Sequence, residues 1–264
     1  RLFSSLVRRG THSDRHLDHW HHLFLQAEKL EREGATAAEK LAMVRHICRH
    51  MIGREPRILQ LAERYLSLAD LLRIKARAIG TGFIGGKAVG MLLANRILLA
   101  DDAFDWQKVL EPHDSFYVGS NVYYSYIVHN GWWKLFMRQK NNAEYFRAGA
   151  ELQGCMLEGS FPEPIRDSFR RMLEYYGQYP IIVRSSSLLG DGFGNAFAGK
   201  YDSFFCANQG SPEERLEQFE QAVRRIYASA MSTEALAYRL QRGLEQRDEQ
   251  MALLIQRVSG SYHQ

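Results

Sequence analysis

The chain begins with helical periodicity. Leu17, Trp20, Leu23 and Phe24 recur at three- to four-residue spacing within residues 1–33, and Leu41, Val44, Cys48 and Met51 repeat the pattern. Pro56 punctuates the chain, and "RILQLAERYLSLADLLRIKARAI" after it predicts a third, strongly apolar helix. Residues 1–79 therefore read as a helical N-terminal region. "GTGFIGGKAVGMLLANRILLADD" predicts a glycine loop opening a helix that buries Val89, Leu92, Leu93, Ile97 and Leu98. "DSFYVGS" reads as a short strand, "NVYYSYIVHNGWWKLFMRQ" as an aromatic-rich helix or helix pair, and residues 141–176 as a polar helical stretch. "PIIVRSSSLLGDGFGNAFAGKYDSFF", Pro180 to Phe205, predicts two adjacent strands around a long soft loop. Ser211 as a cap, Pro212 behind it and two acids then start a helix over 213–247, and "QMALLIQRVSG" closes the chain as a continuously apolar strand. Helices outnumber strands without regular alternation, which predicts α+β rather than a doubly wound sheet.

Composition narrows this picture. With 45% hydrophobic and 24% charged residues, the 264-residue chain has the balance of a soluble globular protein with a real core. The net charge of +4 suits an anionic ligand but is too small to imply nucleic acid. Three widely spaced cysteines, Cys48, Cys155 and Cys206, argue against a disulfide scaffold and point to a reducing, cytoplasmic compartment. No apolar run reaches the roughly 20 residues needed to span a bilayer. The start on Arg and the end at Gln264 read as a piece of something longer.

Four stretches carry candidate chemistry. In "GTGFIGGK" the glycines satisfy G-x-G-x-x-G, but the dinucleotide fingerprint needs a preceding strand, and the sequence before Gly80 has helical period. Thr81 and Ala88 also break the phosphate P-loop pattern. What survives is a glycine loop with Lys87 at a helix start, where backbone N–H groups favour an anion. In the Pro180–Phe205 stretch, Ser185, Ser186 and Ser187 supply hydroxyls, glycines permit close backbone approach, and Arg184 at a strand end suits a phosphate. Gln256 is one amide within an apolar strand, able to meet a purine edge. In "THSDRHLDHWHH", His12, His16 and His19 share a helical face and Asp18 pairs with His22, a spacing that permits metal ligation but more often marks a solvated or docking face.

Taken in order, the first three of these segments resemble the N-terminal ATP-binding domain of phosphoenolpyruvate synthase and pyruvate phosphate dikinase. The resemblance rests on "GGKAVGMLLANRIL", on "VRSSSLLGDGFGNAFAGKYDSFF", on "YASAMSTEALAYR" and on "ALLIQRVSGS", and it spans about 80–260. It implies an ATP-grasp-like domain over 80–264, cut short on its C-terminal side, with an insertion near 130–176 where the gap from Lys87 to Arg184 is long. By the same resemblance Lys87 and Arg184 contact ATP phosphates as the catalytic cations, and Gly86 and Ser186 also bind the nucleotide. Gly199 and Ser203 form a lid, and Gln256 and Val258 meet adenine. The family passes phosphate to a histidine on a separate swivelling domain that serves a further acceptor-binding domain; a nucleotide-sensing or interaction module of the same fold is the alternative.

The family's Mg²⁺ ligands follow the Q-x-V strand and are thus expected beyond residue 264. Without that counter-charge the phosphates are poorly stabilised. Residues 1–264 alone are expected to bind ATP weakly and to transfer no phosphate; an ATPase assay showing turnover by this segment would contradict the expectation.

Overall fold

The computed structural model describes residues 19–141, 143–189, 191–192, 195–196 and 201–260. Helix α1 (His19–Arg32) packs against α2 (Ala37–Met51), whose start is fixed by a reciprocal capping box between Thr36 and Glu39. The stretch expected as a third helix is two. Helix α3 (Pro56–Tyr65) ends at Leu66, and α4 (Leu68–Ala76) starts afresh from a second capping box, Ser67 with Asp70. Ser67 and Asp70 satisfy orphan backbone donors that a continuous helix would not have, so the break is local chemistry written inside an apolar period.

Strand β1 (Ala78–Ile79) precedes the glycine loop, so the loop does follow a strand, although one of only two residues. Helix α5 (Gly86–Leu99) leaves the loop, and strand β2 (Ser115–Val118) lies parallel to β1. The aromatic stretch is a pair, α6 (Ser120–His129) and α7 (Trp133–Gln139). Residues 141–176 hold α8 (Tyr145–Glu158) and α9 (Glu163–Tyr176), and these are less polar than their composition suggests. Tyr145, Leu152, Met156, Phe169, Met172 and Tyr176 from this pair are buried in the main core.

Strand β3 (Ile181–Ser187) and strand β6 (Ser203–Cys206) are antiparallel neighbours, as their apolar runs predicted. Between them a two-residue pairing joins β4 (Asp191–Gly192) to β5 (Asn195–Ala196). Helix α10 (Pro212–Ser229) and helix α11 (Thr233–Gln241) lead to the last strand, β7 (Met251–Arg257). The five-stranded sheet has the order β1-β2-β7-β3-β6, antiparallel except for the first pair. This mixed α+β architecture is the expected fold class.

Helices cover both faces of the sheet. Ile181, Val183, Leu253 and Ile255 point into the core built with α6 to α11, whereas Tyr117 and Leu254 point into a second core built with α1 to α5. That arrangement explains why Met251–Ile255 is apolar without alternation: side chains leaving either face of β7 enter protein, not water. Among the described residues no helix is long and apolar enough to cross a membrane.

Gly85 joins the glycine loop to α5. Its φ is +82°, and a Cβ added there would lie 1.6 Å from the carbonyl oxygen of Ser186. Gly85→Ala is therefore expected to lower folding stability by at least ~2 kcal/mol, from backbone strain together with the clash. Urea unfolding measures this, and a midpoint equal to wild type would contradict the close approach of α5 to β3.

Candidate functional site

The glycine loop is tied down rather than open. Phe83 N–H donates to Ser120 Oγ at 3.1 Å, Ile84 N–H to the Met51 carbonyl at 3.0 Å, and Asn121 Nδ2 to Thr81 Oγ1 at 2.6 Å. At the start of α5, Ala88 N–H donates to Ser186 Oγ at 3.1 Å. The backbone donors of Phe83, Ile84 and Ala88 are thus spent inside the protein. Beside them at this helix start stands the half-buried Lys87, whose Nζ donates to the Ser185 carbonyl at 2.8 Å and to Ser185 Oγ at 3.1 Å.

Sheet register places the other predicted residues beside Lys87. Ile182 is paired with Gln256 on one side and Phe205 on the other, and Arg184 is paired with Leu254 and Ser203. Cross-strand partners share a face, and residues two apart along a strand share it too. Two rows therefore stack on the face that carries α5: Gln256–Ile182–Phe205, then Leu254–Arg184–Ser203. Arg184 Nη1 reaches diagonally to Gln256 Oε1 at 3.3 Å, and Gln256 Nε2 donates to Ser115 Oγ at 3.4 Å and to Met91 Sδ at 3.2 Å. Helix α5 covers only part of this face, for Ser203 and Phe205 remain exposed, Phe205 by 73%.

Arg184 forms no ion pair among the described residues; its hydrogen-bond partner there is the neutral amide of Gln256. A half-buried guanidinium matched only by an amide keeps its positive field available. With Lys87 anchored at the next residue of β3, two cations flank one patch of sheet. Such a patch is built to attract an anion with several oxygens.

The ends of the long loop converge on a buried carboxylate. Glu249, 1% exposed, accepts from Ser187 Oγ at 2.5 Å and from the hydroxyl of Tyr201. Burial, and then the charge of Glu249, push the Tyr201 hydroxyl far above the usual tyrosine range, so it stays protonated and donates. Ser187 is the last residue of β3 and Tyr201 stands two residues before β6, so one acid fastens the chain on both sides of the loop.

Of the residues singled out from sequence, Lys87, Arg184, Ser203 and Gln256 gather on or beside one face of the sheet. Gly86 is the first residue of α5, and Val258 lies just beyond β7, its N–H bonded to the Pro180 carbonyl at 2.9 Å. Ser185, Ser186 and Ser187 are strand residues, fully buried, not loop donors as their composition suggested. Their hydroxyls serve Lys87, the start of α5 and Glu249 in turn. Gly199, assigned to the lid, lies outside the described residues, as do Gly190 and Gly194. Of the histidine face, His12, His16 and Asp18 also lie outside them, while His19 and His22 are exposed on α1. Sequence reading passed over Phe205 and Glu249. Alternation in "SFF" distinguishes the outward Phe205 from Phe204, which packs on the main core; for Glu249, in a polar run before β7, no local signal exists.

The sequence pattern of the family described as "Pyruvate phosphate dikinase, AMP/ATP-binding domain" matches residues 81–263, well over half of the chain. The match starts within the glycine loop and ends beyond β7, so it takes in every strand except β1. None of the curated proteins matches the chain.

Tyr201→Phe removes one of the donors to a buried carboxylate and is expected to cost about 1–3 kcal/mol of stability. Chemical denaturation reads this directly. An unchanged midpoint would mean that Glu249 does not hold the second root of the loop.

Proposed function

Since this chain belongs to the pyruvate phosphate dikinase family through its AMP/ATP-binding domain, we propose that ATP lies along β3 on the open sheet face. Adenine takes the Gln256–Ile182–Phe205 row, with Val258 at its edge, and the phosphates extend toward Lys87 and Arg184. The exposed ring of Phe205 offers the purine an apolar platform, and Gln256 offers an amide able to donate and accept. Ser203, directly across from Arg184, and Gly199 cover the phosphates from the lid. Gly86 lets the chain approach them closely at the start of α5. Ser186 acts indirectly in this reading, by holding Ala88 and so the direction in which Lys87 leaves the helix.

The observation that carries the reading is Arg184, half-buried and balanced by an amide rather than by an acid among the described residues. Binding a polyanion supplies the missing counter-charge. During transfer, charge spreads over the oxygens of the moving phosphoryl group, and fixed cations stabilise it without reorganising. The bond from phosphorus to the bridging oxygen of ATP breaks as a bond to an acceptor nitrogen forms. We assign that nitrogen to a histidine on a separate swivelling domain, as in a phosphoenolpyruvate-synthase-like or dikinase-like enzyme. The sheet described here would then be one lobe of an ATP-grasp-like clamp.

Mg²⁺ bound with the phosphates would neutralise them further. It takes one or two carboxylates together with phosphate oxygens. The acids for Mg²⁺ are assigned beyond residue 264.

Calorimetry with ATP, with and without Mg²⁺, tests the site. Lys87→Ala and Arg184→Ala are each expected to weaken binding about tenfold or more, the worth of one charged hydrogen bond. Phe205→Ala is expected to weaken ATP and adenosine alike, while the two cation variants leave adenosine unchanged. Equal ATP affinity in both cation variants would refute the assignment. Transfer is tested separately, in the longer chain that carries the swivelling domain, by acid-labile label from ATP on a histidine; no label there would refute the enzymatic reading while leaving the binding site standing.

A further inference from the structure

Away from the sheet face, three imidazoles meet on the outer surface of the N-terminal helices. His19 stands at the first residue of α1, and His46 and His50 stand one turn apart on α2. Their ring centroids are 5.9 Å apart for His19–His46, 5.7 Å for His19–His50 and 4.8 Å for His46–His50. One nitrogen from each lies within 4.8 Å of those of the other two, and all three side chains are exposed. We propose that His19, His46 and His50 form a binding site for a divalent first-row transition ion of the Zn²⁺ class, clipping α1 to α2.

The chemistry of the donors selects the ion. Three neutral nitrogens with no carboxylate among them suit Zn²⁺ and its neighbours and do not suit Mg²⁺ or Ca²⁺, which require oxygen. The i, i+4 spacing puts His46 and His50 on one face of α2, and helix packing supplies the third ligand from α1, 27 residues earlier in sequence than His46. One ligand is already oriented. His50 Nδ1 lies 2.9 Å from the His46 carbonyl oxygen, which only accepts, so Nδ1 carries the proton and Nε2 is left with the lone pair.

Around a tetrahedral ion with bonds of 2.0–2.1 Å, ligand nitrogens stand about 3.3 Å apart. The present spacing exceeds this by a margin that exposed side chains close by rotating, with no change in the buried face of either helix. Three protein nitrogens leave a fourth position for water or another ligand. The spacing sought in the sequence, His12 with His16 and His19, lay along one helix; the site proposed instead keeps His19 and takes its partners from the next.

Zn²⁺ titration by calorimetry on the chain as it exists, with Co²⁺ absorption as the coordination readout, tests the proposal. Wild type is expected to bind one ion with His19, His46 and His50 engaged, to show a tetrahedral-type Co²⁺ spectrum and to melt at higher temperature with Zn²⁺ present. His46→Ala, His50→Ala and His19→Ala are each expected to weaken binding about tenfold or more and to abolish the spectrum. Because all three are exposed, the variants should keep the circular dichroism of wild type. His22→Ala, on α1 but outside the cluster, is expected to bind as wild type does. No binding to wild type, or undiminished binding when all three histidines are replaced, would overturn the site.

Discussion

Strand β3 sits between β7 and β6, and where helix α5 packs on it the three serines at its end are shut away from water. A serine hydroxyl buried there must be hydrogen-bonded or destabilise the fold by a few kcal/mol. Three consecutive serines meet this demand in three directions. Ser185 receives Lys87, Ser186 receives the backbone of α5, and Ser187 donates to Glu249. Each of these bonds also places something the site uses: a cation, a helix axis and the root of a loop. The site is therefore an outcome of satisfying buried polarity, and its precision derives from the cost of leaving those groups unpaired.

The two cations illustrate how differently placement can be achieved. Lys87 is held by contacts to a neighbouring strand, so its position depends on how α5 docks. Arg184 belongs to the strand itself and leans on Gln256 across the ladder. A glycine at 85 is what allows α5 to dock so closely, since any side chain there would meet the Ser186 backbone. Lys87 and Arg184 thus reach the same patch from independent supports, one through helix packing and one through strand register.

Much of this was legible in the sequence because it rests on local signals. Pro212 behind Ser211 located α10, the apolar runs located β3, β6 and β7, and ordered motifs pointed to Lys87, Arg184, Ser203 and Gln256. What escaped did so for physical reasons. The break between α3 and α4 hides inside a good helical period, because a capping box changes hydrogen bonding without changing hydrophobicity. Strand β1 is two residues long and exists only through its pairing with β2. The serines looked like loop because their composition is loop-like; their burial is imposed by strands and helices distant in sequence. Residues 141–176 looked polar because each helix there spends only one face on the core. Glu249 was invisible because its role comes from two partners 62 and 48 residues away.

Glu249 has a consequence for how this protein tolerates change. By bonding Ser187 and Tyr201 together it closes the intervening chain into a ring, so the entropy of bringing the loop's ends together belongs to the folding of the core. A substitution at either attachment point, Ser187 or Tyr201, therefore acts on the buried core and not on the surface alone.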